Sequence, residues 1–250
     1  AHHNPKGMSA REKFSWQSVI GLAAAFYLVF ALSVPAGGTL TETIAGWVEA
    51  GFPLDISSNL HLLIPCFKDI ALPLGLVGFM VFTYVVIVGS SNAVNLTDGV
   101  DGLSSSVTIP VMVFFAATAY IYGRTTLALL PATVAGGLAA FLCYNFHPAK
   151  VFMGDTGSLF LGGMVCGMAF ALDMPLILIL VGIIYICETL SVILQVTYFK
   201  LTHGKRIFKM TPIHHHFELC GWKEEKIVFV FTAITLVMCV LAYLGVMNRY

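Results

Sequence analysis

The chain has 250 residues, 58% of them hydrophobic and 10% charged, with a mean hydropathy of +0.88 and a formal net charge of zero. A soluble domain carries roughly 25% charged residues, so the composition excludes that class and indicates an all-α, polytopic transmembrane bundle. Six cysteines, at 66, 143, 166, 187, 220 and 239, form no C-x-x-C pair and mostly lie in apolar runs, which points to neither a disulfide framework nor a zinc site.

In chain order, a basic segment with Lys6, Arg11 and Lys13 precedes a first span over 14–33. That run is too long for a signal-peptide core and further spans follow it, so it reads as a retained helix. Glycines and prolines scattered through 34–71 argue against one continuous helix there. Further spans are predicted over 72–90, 103–122, 127–144, 158–173, 175–199 and 227–246. This makes seven, in a single integral membrane domain of 1–250. Gly163-x-x-x-Gly167 in the fifth is expected to permit close helix packing. The sixth is longer than the ~20 residues needed to cross, so it is tilted or broken.

With seven spans the loops alternate. One side then holds ten Lys and Arg residues (6, 11, 13, 150, 200, 205, 206, 209, 223 and 226), and the other holds Lys68, Arg124 and Arg249. The positive-inside bias places the first set in the cytoplasm. The same alternation gathers Asp98, Asp101, Asp155 and the run His214-His215-His216 on that face. Carboxylates, histidines and lysines at one membrane face suit a metal-assisted reaction on anionic substrates.

Each motif has a plainer reading beside it. Asn92-Ala93-Val94-Asn95-Leu96-Thr97-Asp98-Gly99-Val100-Asp101-Gly102-Leu103 lies between two apolar runs. If helical, it puts Asp98 and Asp101 on one face with Thr97 or Asp98 as cap, ready for a hard cation such as Mg2+; otherwise it is an Asx-and-glycine turn. Gly154-Asp155-Thr156-Gly157-Ser158 opens a span, where it either receives phosphate with Asp155 beside the metal or is a capped glycine turn. Three consecutive histidines cannot face one ion from a regular helix, so phosphate contact is preferred over zinc, with a solvated loop as the alternative. Glu188, in mid-span, is either functional or hydrogen-bonded between helices.

These motifs, with Val151-Phe152-Met153 before Gly154, Pro212-Ile213 before the histidines, and Glu188-Thr189-Leu190-Ser191, resemble the phospho-N-acetylmuramoyl-pentapeptide transferase (MraY) family. The first two loops also recur in the wider polyprenyl-phosphate N-acetylhexosamine-1-phosphate transferases; the histidine run points to the muramoyl branch. The resemblance implies transfer of phospho-MurNAc-pentapeptide from UDP-MurNAc-pentapeptide to undecaprenyl phosphate, giving lipid I and UMP, with Mg2+ as cofactor. It implies a multi-pass protein of the bacterial inner (cytoplasmic) membrane, acting in peptidoglycan synthesis. By the same match Asp155 is the metal ligand, and Asn95, Asp98 and Asp101 line the nucleotide and phosphate site. Asp98 is catalytic. Asn145 and Phe152 belong to a uridine pocket, and His214 and His215 sit near the phosphates or sugar, with His214 counted among the catalytic residues.

Family members are commonly homodimers, though no dimer face is legible here. Their preceding spans end in an Asp-Asp pair that this sequence lacks, so the chain alone is expected to be inactive. Three other readings compete. A GlcNAc-1-phosphate transferase is separated by sugar-nucleotide preference, a secondary transporter by flux without UMP release, and a non-catalytic scaffold by folding without nucleotide binding.

Overall fold

A computed structural model describes residues 9–54, 60–64 and 70–247. Lys6, Lys68 and Arg249 of the charge count lie outside them. The chain divides into two compact units, residues 1–62 with 71–89, and residues 63–70 with 90–250.

In the first unit, α1 (Ala10–Ser33) starts at a capping box: Ser9 Oγ accepts from the Glu12 amide and the Glu12 carboxylate accepts from the Ser9 amide. α1 meets the middle turns of α3 (Gly75–Thr97), where Gly21 lets Val88 and Tyr84 approach and Ser18 Oγ lies 2.9 Å from Tyr84 Oη. Between them the expected break in helix appears. A short α2 (Leu40–Glu49) has its own capping box at Thr39 and Glu42, and a two-stranded sheet of β1 (His61–Leu63) and β2 (Ala71–Pro73) follows.

The second unit is built around α4 (Leu103–Ile121). Of its membrane-length stretch 67% is buried, against at most 33% for any other such helix. It packs most extensively on α5 (Thr125–Asn145) and α10 (Glu224–Met247). Lipid replaces water around the outer helices, so their apolar side chains stay exposed. The sixth predicted span is indeed broken: a 3-10 turn at Pro175–Ile177 and α7 (Leu178–Val181) precede α8 (Ile183–Leu201), with Gly182 at the joint. α9 (Ile213–Glu218) is a short helix before α10.

Among the described residues, six helices are long and apolar enough to cross a membrane. The seventh expected span is α6 (Gly154–Ala171), which is 18 residues with a polar first turn and does not join the six. At its far end Arg124 donates to the Ala171 carbonyl and pairs with Asp173 at 3.1 Å.

One packing expectation is corrected. Gly163 and Gly167 face open space, whereas a Cβ on Gly162 would lie 2.5 Å from Ser91 Cα and 2.6 Å from the Ser90 carbonyl oxygen. Both obstacles are backbone and cannot swing aside. Gly162→Ala is therefore expected to destabilise the protein by about 1–3 kcal/mol, whereas Gly163→Ala gains up to about 1 kcal/mol of helix propensity. Thermal unfolding of the two variants in one detergent checks the contrast.

Candidate active site

α3 does not stop where the apolar run ends but continues through Thr97, so Asn92 and Asn95 lie on its last turns. Residues 98–102 form a turn, and Asp98 and Asp101 therefore share no helix face. The expected caps are not used. Thr97 Oγ1 donates back to the Ala93 carbonyl, and Gly102, left-handed at φ 74°, begins α4 without a side-chain cap. A Cβ on Gly102 would lie 3.1 Å from Leu142 Cδ1 and 3.4 Å from Phe146, which fits glycine on both counts.

Asn95 Nδ2 donates to Asp155 Oδ1 and to Ser158 Oγ, each at 2.8 Å, tying the end of α3 to the first turn of α6. Burial pushes the Asp98 carboxyl up to about 6, and the charge of Asp155 adds to the shift. Asp155 itself is exposed. No side chain caps α6 at Met153, and Gly154 opens it with φ 67°.

The loop after α5 is held by Asn145, buried to 4% exposure. Its Oδ1 accepts from Ser105 Oγ at 3.2 Å and its Nδ2 donates to the Val151 carbonyl at 2.9 Å. Phe152, just beyond, is 73% exposed and flanks a cavity of about 360 Å³ with Val134, Leu138, Phe141 and Phe160.

Asp101 Oδ2 accepts from the Ala149 amide at 2.9 Å. His147 Nδ1 stands 3.3 Å from Asp101 Oδ2 and 3.2 Å from Glu224 Oε2, with neither carboxylate aligned to accept a hydrogen bond from it. The donor atoms of Asp101, His147 and Glu224 all lie within 4.8 Å of one another. They form a mixed nitrogen–oxygen group of the kind that can hold a metal. Asp155, the one ligand named from sequence, is not in it.

The three histidines diverge, as a short helix requires. His214 is fully buried with Nδ1 3.0 Å from Glu188 Oε2. His215 pairs with Glu218 on its own helix, and His216 Nδ1 accepts from the Lys209 amide at 3.1 Å. The structure thus gathers the 98–102 turn, the 145–153 loop, the start of α6, α9 and the start of α10. It supplies the partner of Glu188, which sequence left unnamed. Sequence reading also missed His147 and Glu224. An acid opening a helix reads as a favourable dipole contact, and a lone histidine before proline carries no metal-ligand spacing.

The model of glycosyl transferase family 4 matches residues 5–173, well over half of the chain. The chain belongs to glycosyl transferase family 4. It is thereby a membrane-integral enzyme of the polyprenyl-phosphate sugar-1-phosphate transferase type. The matched stretch of family 4 sequence includes both acidic loops and Asn145, while Glu188, the histidine run and Glu224 lie beyond it.

Proposed function

We propose that the protein is a phospho-N-acetylmuramoyl-pentapeptide transferase, moving phospho-MurNAc-pentapeptide from its UDP carrier to undecaprenyl phosphate with release of UMP. The observation that carries the reading is the joining of Asn95, Asp98 and Asp155 at one point, with His214 packed against the same turn at Gly99. The muramoyl assignment, as against GlcNAc-1-phosphate, rests on the Pro212–His216 run. The site loops face the cytoplasm, where a soluble nucleotide sugar and an inner-leaflet lipid phosphate can both arrive.

In this reading an oxygen of the lipid phosphate bonds to the β-phosphorus of the nucleotide, and the bond to the UMP oxygen breaks. Two anions must meet, so positioning and charge stabilisation dominate. Asp98, with a carboxyl near 6, matches the second ionisation of a phosphate monoester, also about 6, and takes its proton. Asn95 holds Asp155 in place. Asp101 braces the loop that carries Phe152, whose exposed ring stacks on uracil, and Asn145 shapes that pocket from beneath. His215 lies at the sugar side of the phosphates.

The donor set fits a divalent metal. Burial of Asp98 beside Asp155 leaves two carboxylates whose repulsion a cation relieves. Asp155, an exposed oxygen ligand, would hold Mg2+, which takes oxygen donors and shares them with phosphates; the Asp101, His147 and Glu224 group has a nitrogen and suits a softer metal. Bound there, Mg2+ neutralises charge on the diphosphate.

The deciding assay is Mg2+-dependent UMP release from UDP-MurNAc-pentapeptide and undecaprenyl phosphate. It is run with the chain alone and with a relative's N-terminal three-span segment supplied. UMP from UDP-GlcNAc instead would move the assignment to the sibling transferase; solute flux without UMP would favour a transporter. Phe152→Ala is expected to weaken UMP binding about 5- to 100-fold, the range of base–aromatic stacking, as read by calorimetry.

A further inference from the structure

Glu188 on α8 and His214 on α9 are both fully buried, with Glu188 Oε2 3.0 Å from His214 Nδ1. Glu188 Oε1 and His214 Nε2 have no hydrogen-bond partner among the described residues. Ser191 Oγ donates to the Glu188 backbone carbonyl and leaves the carboxylate alone. On its other sides His214 meets the His215 ring, 4.2 Å between centroids, and the 98–102 turn. There a Cβ on Gly99 would lie 2.4 Å from Nε2 and 2.8 Å from Cε1. Only a residue without a side chain lets the ring come that close.

The pair's protons follow from its burial. A buried pair with a net negative charge leaves an uncompensated carboxylate, the costly arrangement. The neutral pair has two forms, carboxylate with imidazolium or carboxylic acid with imidazole. In both, one hydrogen bridges Oε2 and Nδ1 and the other sits on Nε2. Wherever the bridging proton rests, Nε2 is a donor, and it is the donor that lacks an acceptor.

We propose that Glu188 is a positioning residue that fixes His214 with its Nε2–H directed at the Asp98–Gly99 turn, to donate to an anionic oxygen of the bound ligand. That this oxygen belongs to a diphosphate rests on the transferase reading above. Glu188 acts only through His214 and touches no reacting atom.

The test uses the full chain in lipid nanodiscs with ¹⁵N-labelled histidine, His214 being assigned by its loss in His214→Gln. In the wild type, Nε2 is expected to carry a bonded hydrogen, and its signal to move when inorganic pyrophosphate is added. In Glu188→Gln, pyrophosphate should bind about 10- to 100-fold more weakly, the effect of losing one hydrogen bond to a charged group. The His214 signal should then no longer respond, while those of His215 and His216 stay in place, which separates lost positioning from lost fold. If Glu188→Gln does not fold, the wild-type spectrum and Gly99→Ala decide. The added methyl should displace the His214 signal and weaken pyrophosphate to a similar extent. A wild-type Nε2 without hydrogen overturns the proposal, and so does unchanged pyrophosphate affinity in Glu188→Gln with a responding His214. A protonated, Glu188-dependent Nε2 in a protein that releases no UMP even with a relative's N-terminal three-span segment supplied upholds the pair and counts against the transferase; UMP release with an unprotonated Nε2 does the opposite.

Discussion

Asp98→Asn, assayed with a relative's N-terminal three-span segment supplied, is expected to lower the rate of UMP release by about 10²–10⁴-fold, the usual worth of a positioned acid or base. The amide keeps the size and one acceptor but cannot take a proton. In the wild type the same residue should set the acid limb of the pH profile. Its carboxyl is raised to about 6 by burial and by Asp155, and the reactive form is the carboxylate, so kcat/KM falls as pH drops through about 6. Saturating Mg2+ favours the carboxylate and moves the limb lower; Asp98→Asn removes it. Stability runs the other way. With its folded value above the usual 3.8, Asp98 favours folding least where it is charged, and its contribution weakens as pH rises from about 4 to about 6. The variant should therefore unfold at a higher temperature than the wild type at pH 7, with the difference gone below pH 4. A variant that lost both rate and stability at pH 7 would point to a structural role instead.

Removal of the metal has a comparable effect. Chelation is expected to abolish UMP release and added Mg2+ to restore it. Asp155→Asn should cost about 10²–10³-fold in rate, on the scale of one preorganised charge contact, and raise the Mg2+ needed for half-maximal activity. His147→Ala separates the two donor groups. It should leave the Mg2+ dependence near the wild type while weakening any Zn2+ or Mn2+ bound at Asp101 and Glu224, as read by titration against each metal. If His147→Ala shifts the Mg2+ curve and Asp155→Asn does not, the metal belongs at the other group.

Much of this arrangement was legible in the sequence, for a definite reason. Long apolar runs fix the helices, and helices that cross in alternation force their polar ends together. Asp98, Asp101, Asp155 and the run His214-His215-His216 could thus be assigned to one membrane face before any coordinate, while Asn95 entered through the family resemblance. Local detail was less legible. Hydropathy cannot say whether Asn92-Ala93-Val94-Asn95-Leu96-Thr97 ends a helix or loops out, because its amides are needed for tertiary bonds that stabilise it as helix. A small-residue spacing marks a stripe but not which neighbour it meets, so Gly162 was passed over for Gly163 and Gly167. The buried end of Glu188 depends on a residue 26 positions away, and no periodicity encodes such a pairing. Glu224 and His147 become interesting only once Asp101 stands beside them.

The burial of α4 also bears on how the protein is made. Ser104, Ser105, Ser106, Thr108 and Thr118 are all enclosed, which leaves α4 a poor passenger for lipid on its own. α5 follows it out of the ribosome within a few residues, but α10, its other main cover, comes much later in the chain. A hydroxyl-rich flank must therefore wait, unshielded, while about a hundred further residues are translated. Nascent chains halted before Glu224 should be held by insertion machinery or chaperones and degraded if released. α10 covers that flank and brings Glu224 to the site in the same step.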